Sequence, residues 1–260
     1  MQEPSALGRI VELVRDLRKR CPWDRAQTRV TLRPYLVEEA LELDQALAHD
    51  DPAKIKEELG DVLLHVAFQV VLGEEEGEFG ADDVARSVEH KMWRRHPHLF
   101  TEQGDEITTR QREDTWERTK LDEADSGEPS VLDGLPPTLP ALLMAYRLQE
   151  RAAGVGFDWP DSEGPLEKVR EEVKELSAEV TASERNQEDI EDEIGDLFFA
   201  AVNLARKLGI DPRAALERAN AKFDARFRKV EAVARERDID LDRATLEELD
   251  EIWDEIKAAR

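Results

Sequence analysis

Apolar residues recur along this chain with helical spacing. Leu32, Leu36, Ala40, Leu43 and Leu47 fall on one stripe of a 3.6-residue period, which predicts a helix through that stretch. Asp50-Asp51-Pro52 then supplies a turn and a helix start, with Pro near the first helical position. From Ile55 to Leu72 the next segment is apolar almost all round. Leu59, Val62, Leu63, Val66 and Val70 lie to one side, and Leu64, Phe68 and Val71 to the other. Such a helix is expected to be buried within a bundle. Further helical patterns run through Leu139–Arg151, Leu166–Val180, Ile190–Leu208, Pro212–Arg237 and Thr245–Ala258. Alternating β-branched runs bounded by turns are absent, so the pattern predicts an all-α fold.

Between about Thr101 and Pro140 the composition changes. Ser126-Gly127-Glu128-Pro129-Ser130, followed by Gly134-Leu135-Pro136-Pro137, is linker chemistry. The expected division is therefore an N-terminal domain over 1–122, a linker over 123–137 and a C-terminal domain over 138–260. The two halves repeat each other. Glu39-x-x-Glu42 recurs 133 residues later as Glu172-x-x-Glu175, and Glu58-x-x-Asp61 recurs 135 residues later as Glu193-x-x-Asp196. Lys91-x-x-x-Arg95 maps onto Lys222-x-x-x-Arg226 at an offset of 131, and Trp116-x-x-x-Lys120 onto Trp253-x-x-x-Lys257 at 137. Four elements in the same order, with so little drift, indicate an internal duplication and hence tandem helical-bundle domains.

Composition narrows the function classes. With Lys+Arg 37 against Asp+Glu 61, the net charge over 260 residues is -24. A general nucleic-acid footprint needs a basic surface, so no nucleic-acid polymer is expected as a partner. Cys21 stands alone, which excludes a disulfide framework and suits a reducing cytosol. The start carries no secretory signal pattern, and the longest apolar run, about Leu63 to Leu72, is broken by His65 and Gln69. A cytoplasmic protein with no membrane partner is the expectation.

The repeated acids are where charge becomes chemistry. An isolated E-x-x-E pair in so acidic a chain is ordinarily a solvated helix face. Residues three apart share a face, however, and Glu58 and Asp61 sit on a helix that is apolar on both flanks. Two facing helices would gather four carboxylates in one small volume. Unpaired there, they would repel until some protonated; a structural network with Lys and Arg, or a bound divalent cation, removes the conflict. An oxygen-only donor set favours Mg²⁺, with Mn²⁺ as the alternative. The Lys222/Arg226 and Lys91/Arg95 pairs, alike in both repeats, suggest a phosphate clamp beside the metal, against the plainer reading of surface i, i+4 pairs. Trp253 either stacks on a nucleobase or belongs to the core. A di-iron bundle would want Glu-x-x-His pairs, which these are not.

These strings together resemble the MazG family of nucleoside triphosphate pyrophosphohydrolases. The resemblance runs over nearly the whole chain. It includes Cys21-Pro22-Trp23-Asp24 with Gln27-Thr28, Tyr35-Leu36 before Glu38-Glu39, Glu-Leu-Gly-Asp at 58–61 and Arg94-Arg95-His96-Pro97-His98-Leu99-Phe100. In the second half it includes Gly156-Phe157-Asp158-Trp159 and Asn220-x-Lys222-Phe223-x-x-Arg226-Phe227. The resemblance implies an all-α homodimer that uses Mg²⁺ to hydrolyse NTPs and dNTPs to the monophosphate and pyrophosphate, with catalysis in the second domain. It implies Glu172, Glu175, Glu193 and Asp196 as metal ligands, and Lys168, Lys222, Arg226 and Trp253 as nucleotide contacts. Glu171 or Glu172 is the candidate general base. Glu39, Glu42, Glu58, Asp61, Lys91 and Arg95 form a possible second site. The alternative is a nucleotide-binding or regulatory helical dimer without turnover. Two departures stand out: Glu188 and Asp189 occupy the turn where a Lys is expected before E-x-x-D, and His65 stands where Gln or an apolar residue is expected. His65 is expected to be a hydrogen-bonded buried histidine, with a fifth metal ligand as the alternative.

Overall fold

The computed structural model describes residues 5–96 and 130–258, and among them the regular structure is helical throughout. The chain forms two compact units, Met1–Ile107 and Thr108–Arg260. Of the expected linker, 123–129 lies outside the described residues and 130–137 is a succession of turns.

The N-terminal unit holds α1 (Ala6–Arg20), α2 (Pro22–Ala26), α3 (Arg29–His49), α4 (Pro52–Glu76) and α5 (Ala81–Arg95). Local chemistry sets these boundaries. Thr28 and Thr31 form a capping box, the Thr31 N–H donating to Thr28 Oγ1 (3.2 Å) and the Thr28 N–H to Thr31 Oγ1 (2.9 Å). Asp50 closes α3 in a left-handed conformation (φ 51°), and Asp51 Oδ1 accepts from the Ala53 and Lys54 N–H groups (3.0 and 3.3 Å) to open α4. Two residues thus turn α3 back on α4 as a helical hairpin. Gly77 ends α4 at φ 70°, and the chain returns so that the Phe79 ring lies against Gly73, 2.6 Å from where a Cβ would stand.

The core of this unit sits at one end of the hairpin. Val14, Leu32, Ala67, Phe68, Val71 and Leu72 are buried together, with Ile10, Val11 and Leu64 against them; each large side chain so buried contributes about 1.5–3 kcal/mol. α1 has 15 residues against 25 in α4. At 1.5 Å per residue it covers only part of that helix. The wholly buried α4 expected from its apolar girth is therefore corrected: the half near α1 is buried, but Leu59 and Val66 are 52% and 44% exposed. The α3 stripe fares likewise, Leu32 being buried while Leu47 is exposed. α1 and α2 were not among the expected helices, although Ile10, Val11, Val14 and Leu17 keep helical spacing in α1.

The C-terminal unit holds α6 (Ala141–Gly154), α7 (Glu163–Thr181), α8 (Gln187–Lys207), α9 (Pro212–Glu236) and α10 (Leu246–Ala258). α7 and α8 pack along one another as the counterpart of the α3–α4 hairpin. Asn186 caps α8 by accepting from the Glu188 N–H (3.1 Å), and Asp211 caps α9 through the Arg213 and Ala214 N–H groups (2.8 and 3.2 Å). Between α9 and α10 a core of Val230, Ala234 and Ile252 gathers Val233, Leu249, Trp253 and Ile256. Asp158, in the Gly156–Trp159 string, accepts from Arg206 (2.5 Å) and Lys207 (2.9 Å) and so pins the α6–α7 connection to the end of α8. Among the described residues no helix is long and apolar enough to cross a membrane.

Candidate metal and nucleotide site

The α7–α8 hairpin gathers the C-terminal acids. Glu172 and Glu175 lie one turn apart on α7, and Glu193 faces them from α8; one carboxylate oxygen from each lies within 4.8 Å of the others. Glu172 is buried at 3% exposure. Burial, followed by the charges of Glu175, Glu172 and Asp196, raises the Glu193 carboxyl above its ordinary value. Its Oε2 is buried with no hydrogen-bond partner. A buried carboxylate oxygen facing two other carboxylates is a position a cation would satisfy, and the all-oxygen set fits a hard divalent ion such as Mg²⁺. Asp196 is exposed and stands outside this triplet.

Lys168 partly compensates the charge. Its Nζ is 2.7 Å from Glu172 Oε1 and 3.0 Å from Glu171 Oε1, and these hydrogen bonds raise the ammonium above its ordinary value. Glu171 is therefore turned toward Lys168 and stands outside the triplet, whereas Glu172 belongs to both groups. Glu188 and Asp189 occupy the first turn of α8, where acids suit the positive end of the helix dipole.

The other expected substrate residues form a separate group. Lys222 is exposed on α9. Arg226, one turn on, holds its guanidinium 6.0 Å from the Trp253 ring centroid, with Lys257 Nζ at 5.7 Å from that ring. Phe223 meets the indole at 5.5 Å, and the Trp253 ring packs on the α9–α10 core. Trp253 is thus a half-buried core aromatic with two cations beside it. Among the described residues, no hydrogen bond or ion pair joins Lys222 or Arg226 to the carboxylates.

The N-terminal hairpin repeats the cluster with different members. Glu39 on α3 meets Glu58 and Asp61 on α4, again within 4.8 Å, while Glu42 is exposed. The third member here is Asp61, where the C-terminal set uses Glu175, the counterpart of Glu42. Burial first, and then the neighbouring acids, raises both the Glu39 and Glu58 carboxyls. The compensating cation has also moved. Lys54 on α4 approaches Glu57 (2.8 Å) and Glu58 (3.8 Å), and it stands where the C-terminal repeat has Asp189. Tyr35 stands where the C-terminal repeat has Lys168. Lys54 was not among the expected residues, although its i−4 spacing from Glu58 is the available signal. Lys91 is exposed on α5, with Arg95 half-buried one turn beyond; Trp116 and Lys120 lie outside the described residues.

His65 departs from the expected hydrogen-bonded histidine. Its Nδ1 is buried without a hydrogen-bond partner, and its Nε2 is 4.0 Å from Glu39 Oε1. Tyr35 stacks on the imidazole at 6.3 Å between centroids. Burial lowers its pKa, against the opposing pull of Asp61, so the ring is neutral at physiological pH.

Comparison with known proteins agrees with the duplicated hairpin. The model of the MazG nucleotide pyrophosphohydrolase domain matches twice, over residues 27–100 and 162–231. Each match spans one carboxylate hairpin. The nucleoside triphosphate pyrophosphohydrolase of Escherichia coli (strain K12) is 39% identical over 262 residues, covering 99% of this chain and 98% of its own. The nucleoside triphosphate pyrophosphohydrolase/pyrophosphatase MazG of Thermotoga maritima is 42% identical over 237 residues, 91% of this chain and 89% of its own. The nucleoside triphosphate pyrophosphohydrolase of Mycolicibacterium smegmatis is 31% identical over 217 residues, 74% of this chain and 66% of its own. With two copies of the domain in tandem and likeness along nearly its full length, the chain belongs to the MazG nucleotide pyrophosphohydrolase family.

Proposed function

We propose that this chain hydrolyses nucleoside triphosphates, NTPs and dNTPs alike, to the monophosphate and pyrophosphate, using Mg²⁺ held at the α7–α8 carboxylates. The observation that carries this is the convergence of Glu172, Glu175 and Glu193 within 4.8 Å, with one buried oxygen left unpaired. A divalent ion there would neutralise phosphate charge and lower the pKa of a bound water. Asp196, exposed on the same face of α8 as Glu193, completes the proposed ligand set. Glu171 lies outside the triplet and is paired with Lys168, and it is the proposed carboxylate that takes a proton from water; Glu172, in the triplet, is the alternative base. Lys168 is placed to exchange a carboxylate partner for a phosphate oxygen. Lys222 and Arg226 supply the positive charge for the pyrophosphate leaving group, and Trp253 with its two cations forms the wall of the nucleotide site.

The N-terminal cluster of Glu39, Glu58 and Asp61, with Glu42, Lys91 and Arg95 nearby, is proposed as a second cation site. A homodimer is supported by the apolar side chains that a single copy leaves exposed on the site helices. Leu166, Val173 and Val180 recur every seven residues along α7, and Phe198 on α8 is 61% exposed. The lone Cys21 is free, in keeping with a cytoplasmic protein.

The test is incubation with a panel of NTPs and Mg²⁺, reading monophosphate and pyrophosphate separately from inorganic phosphate. Pyrophosphate release that Glu193→Gln abolishes supports the proposal. Nucleotide binding without turnover, or release of phosphate alone, overturns it.

A further inference from the structure

The N-terminal unit carries a second polar feature, of the opposite sign to its carboxylate hairpin. Where the end of α1 and α2 meet the far end of α4, an open cleft of about 540 Å³ is lined by Arg15, Arg18, Lys19 and Arg25 around Glu74 and Glu75. Four cations against two carboxylates leave it positive, in a chain whose net charge is -24. It is separate from the Glu39, Glu58 and Asp61 cluster, since Asp61 and Glu75 are about four turns apart on α4, roughly 21 Å. A guanidinium has five N–H groups. Arg15 Nε and Nη2 donate to Glu74 (2.9 and 2.6 Å), and Arg18 Nε and Nη2 to Glu75 (2.9 and 2.7 Å), so the two glutamates are matched by the two arginines of α1. Arg25 Nε donates to the Arg18 carbonyl (3.1 Å) and its Nη2 to that of Lys19. The ordinary task of a last-turn cation, to satisfy the carbonyls that end a helix, thus falls to Arg25. Neither Lys19 nor Arg25 has a carboxylate partner among the described residues.

The cleft is held by buried chemistry. Arg18, 8% exposed, is fixed by both oxygens of Glu75 and by the carbonyls of Asp24 and Gln27, which leaves its fifth N–H, on Nη2, without an acceptor among the described residues. Val71, 2% exposed, supplies the apolar part of the lining. Arg25 is braced on two backbone carbonyls, with Nη1 unused, so its guanidinium loses little freedom on meeting a ligand. We propose that this cleft binds a phosphate-bearing dianion, with Lys19 Nζ and Arg25 Nη1 as direct contacts and the last Arg18 N–H behind them. Two uncompensated cations match a dianion in charge, and a guanidinium edge matches two oxygens of one phosphate group. Because α1, α2 and α4 all contribute, an occupied cleft clamps α1 and α2 on α4 and stabilises the N-terminal unit. Binding here needs no metal, whereas the carboxylate hairpins repel a phosphate group until a divalent ion intervenes. It therefore stands apart from the proposed hydrolysis.

The test uses the full chain in EDTA, so that metal-bridged binding at the hairpins is absent. Inorganic phosphate, pyrophosphate and a nucleoside monophosphate are titrated separately by calorimetry, at constant ionic strength against chloride, with melting followed in parallel. Saturable binding is expected, with a rise in melting temperature that chloride does not give; the tightest of the three anions identifies the source of the phosphate group. Lys19→Gln, which changes an exposed side chain with no partner to lose, should weaken that binding at least about fivefold. Lys19→Gln together with Arg25→Gln should weaken it at least about twentyfold. Arg9→Gln together with Arg20→Gln removes the same charge from exposed positions of α1 outside the cleft, and should leave the affinity within about twofold. No saturable binding in EDTA, an equal loss in the Arg9 and Arg20 variant, or binding that Lys222→Gln removes and Lys19→Gln does not, would each overturn the proposal. Lys19→Gln alone decides the matter if the Arg25 variant does not fold.

Discussion

Lys168 Nζ lies 2.7 Å from Glu172 Oε1, one turn further along α7, and so places an ammonium where a metal ion would otherwise balance that carboxylate. Glu172 has a side chain 4% exposed, while Lys168 is 41% exposed. Replacing the lysine leaves a buried acid beside Glu175 and Glu193 with less compensation. Lys168→Met should therefore cost about 1–2 kcal/mol in the absence of metal, the lysine's exposure keeping the figure low. It should also tighten Mg²⁺ binding, because the competing cation is gone, while raising KM for the nucleotide. Melting with and without Mg²⁺, calorimetric titration and steady-state kinetics separate the three effects. Weaker Mg²⁺ binding in the variant would contradict the competition.

Glu193 gives the converse prediction. Its carboxyl is raised by burial and by four nearby acids, so its charge is a burden on the metal-free fold. Glu193→Gln, which keeps the shape and removes the charge, should melt above the parent when no divalent ion is present. With Mg²⁺ the order should reverse. At a concentration of about 100 Kd a ligand adds about 2.7 kcal/mol. For a unit of this size that is a rise of roughly 5–10 °C, and the variant should show little of it. A variant that responds to Mg²⁺ as the parent does would remove Glu193 from the ligand set.

Much of this arrangement was legible before the fold was known, and for a physical reason. E-x-x-E and E-x-x-D place two acids on one helical face whatever surrounds them, and the duplication supplied the facing pair. The α3–α4 and α7–α8 hairpins follow from that together with the caps at Asp51 and Asn186. Which three acids of each set converge was not legible. Glu42 and Asp196 stand outside their triplets, yet they are not counterparts of each other, and Glu175 is exposed while belonging to its triplet. Nor could spacing tell that Lys54 and Lys168 would serve the two clusters from opposite helices. The exposed apolar positions, Leu59 and Val66 among them, were invisible for a related reason: periodicity reports that a face is apolar and is silent on whether the same chain covers it.

Asp158 contributes a pH dependence to the C-terminal unit. Burial alone would raise its carboxyl, but hydrogen bonds from Arg206 and Lys207, and their charges, outweigh this and hold it below the ordinary carboxylate value. All three side chains are well buried, at 15%, 11% and 16% exposure. A folded pKa below the unfolded value of about 3.9 means that the stabilisation is complete above that pH and is lost as pH falls through the folded value. Asp158→Asn should therefore cost about 2–3 kcal/mol at neutral pH. The difference from the parent should shrink as pH drops below about 4. Urea unfolding of both chains across that range is the measurement, and a constant difference would show that packing, not charge, accounts for the loss.

Arg18 is the corresponding anchor of the N-terminal unit, and it offers the sharpest separation of an ion pair from the hydrogen bonds around it. Its guanidinium donates to Glu75 Oε1 and Oε2 (2.9 and 2.7 Å) and to the carbonyls of Asp24 (2.7 Å) and Gln27 (3.0 Å), tying α1 to α4 and to the C-terminal end of α2. Arg18 has a side chain 8% exposed, whereas Glu75 is 47% exposed. Removing the arginine thus frees a carboxylate that can return to water, but leaves two backbone carbonyls without their donor. The carbonyls set the cost. Arg18→Met, which fills much the same volume, should lose about 2–4 kcal/mol. Glu75→Gln should lose about 1 kcal/mol, because the carbonyl bonds remain. Arg18→Lys should fall near the methionine variant, since a single ammonium cannot reach four acceptors in the fork geometry of a guanidinium. If Glu75→Gln proves as damaging as Arg18→Met in urea unfolding, the ion pair and not the backbone anchoring holds α1 in place.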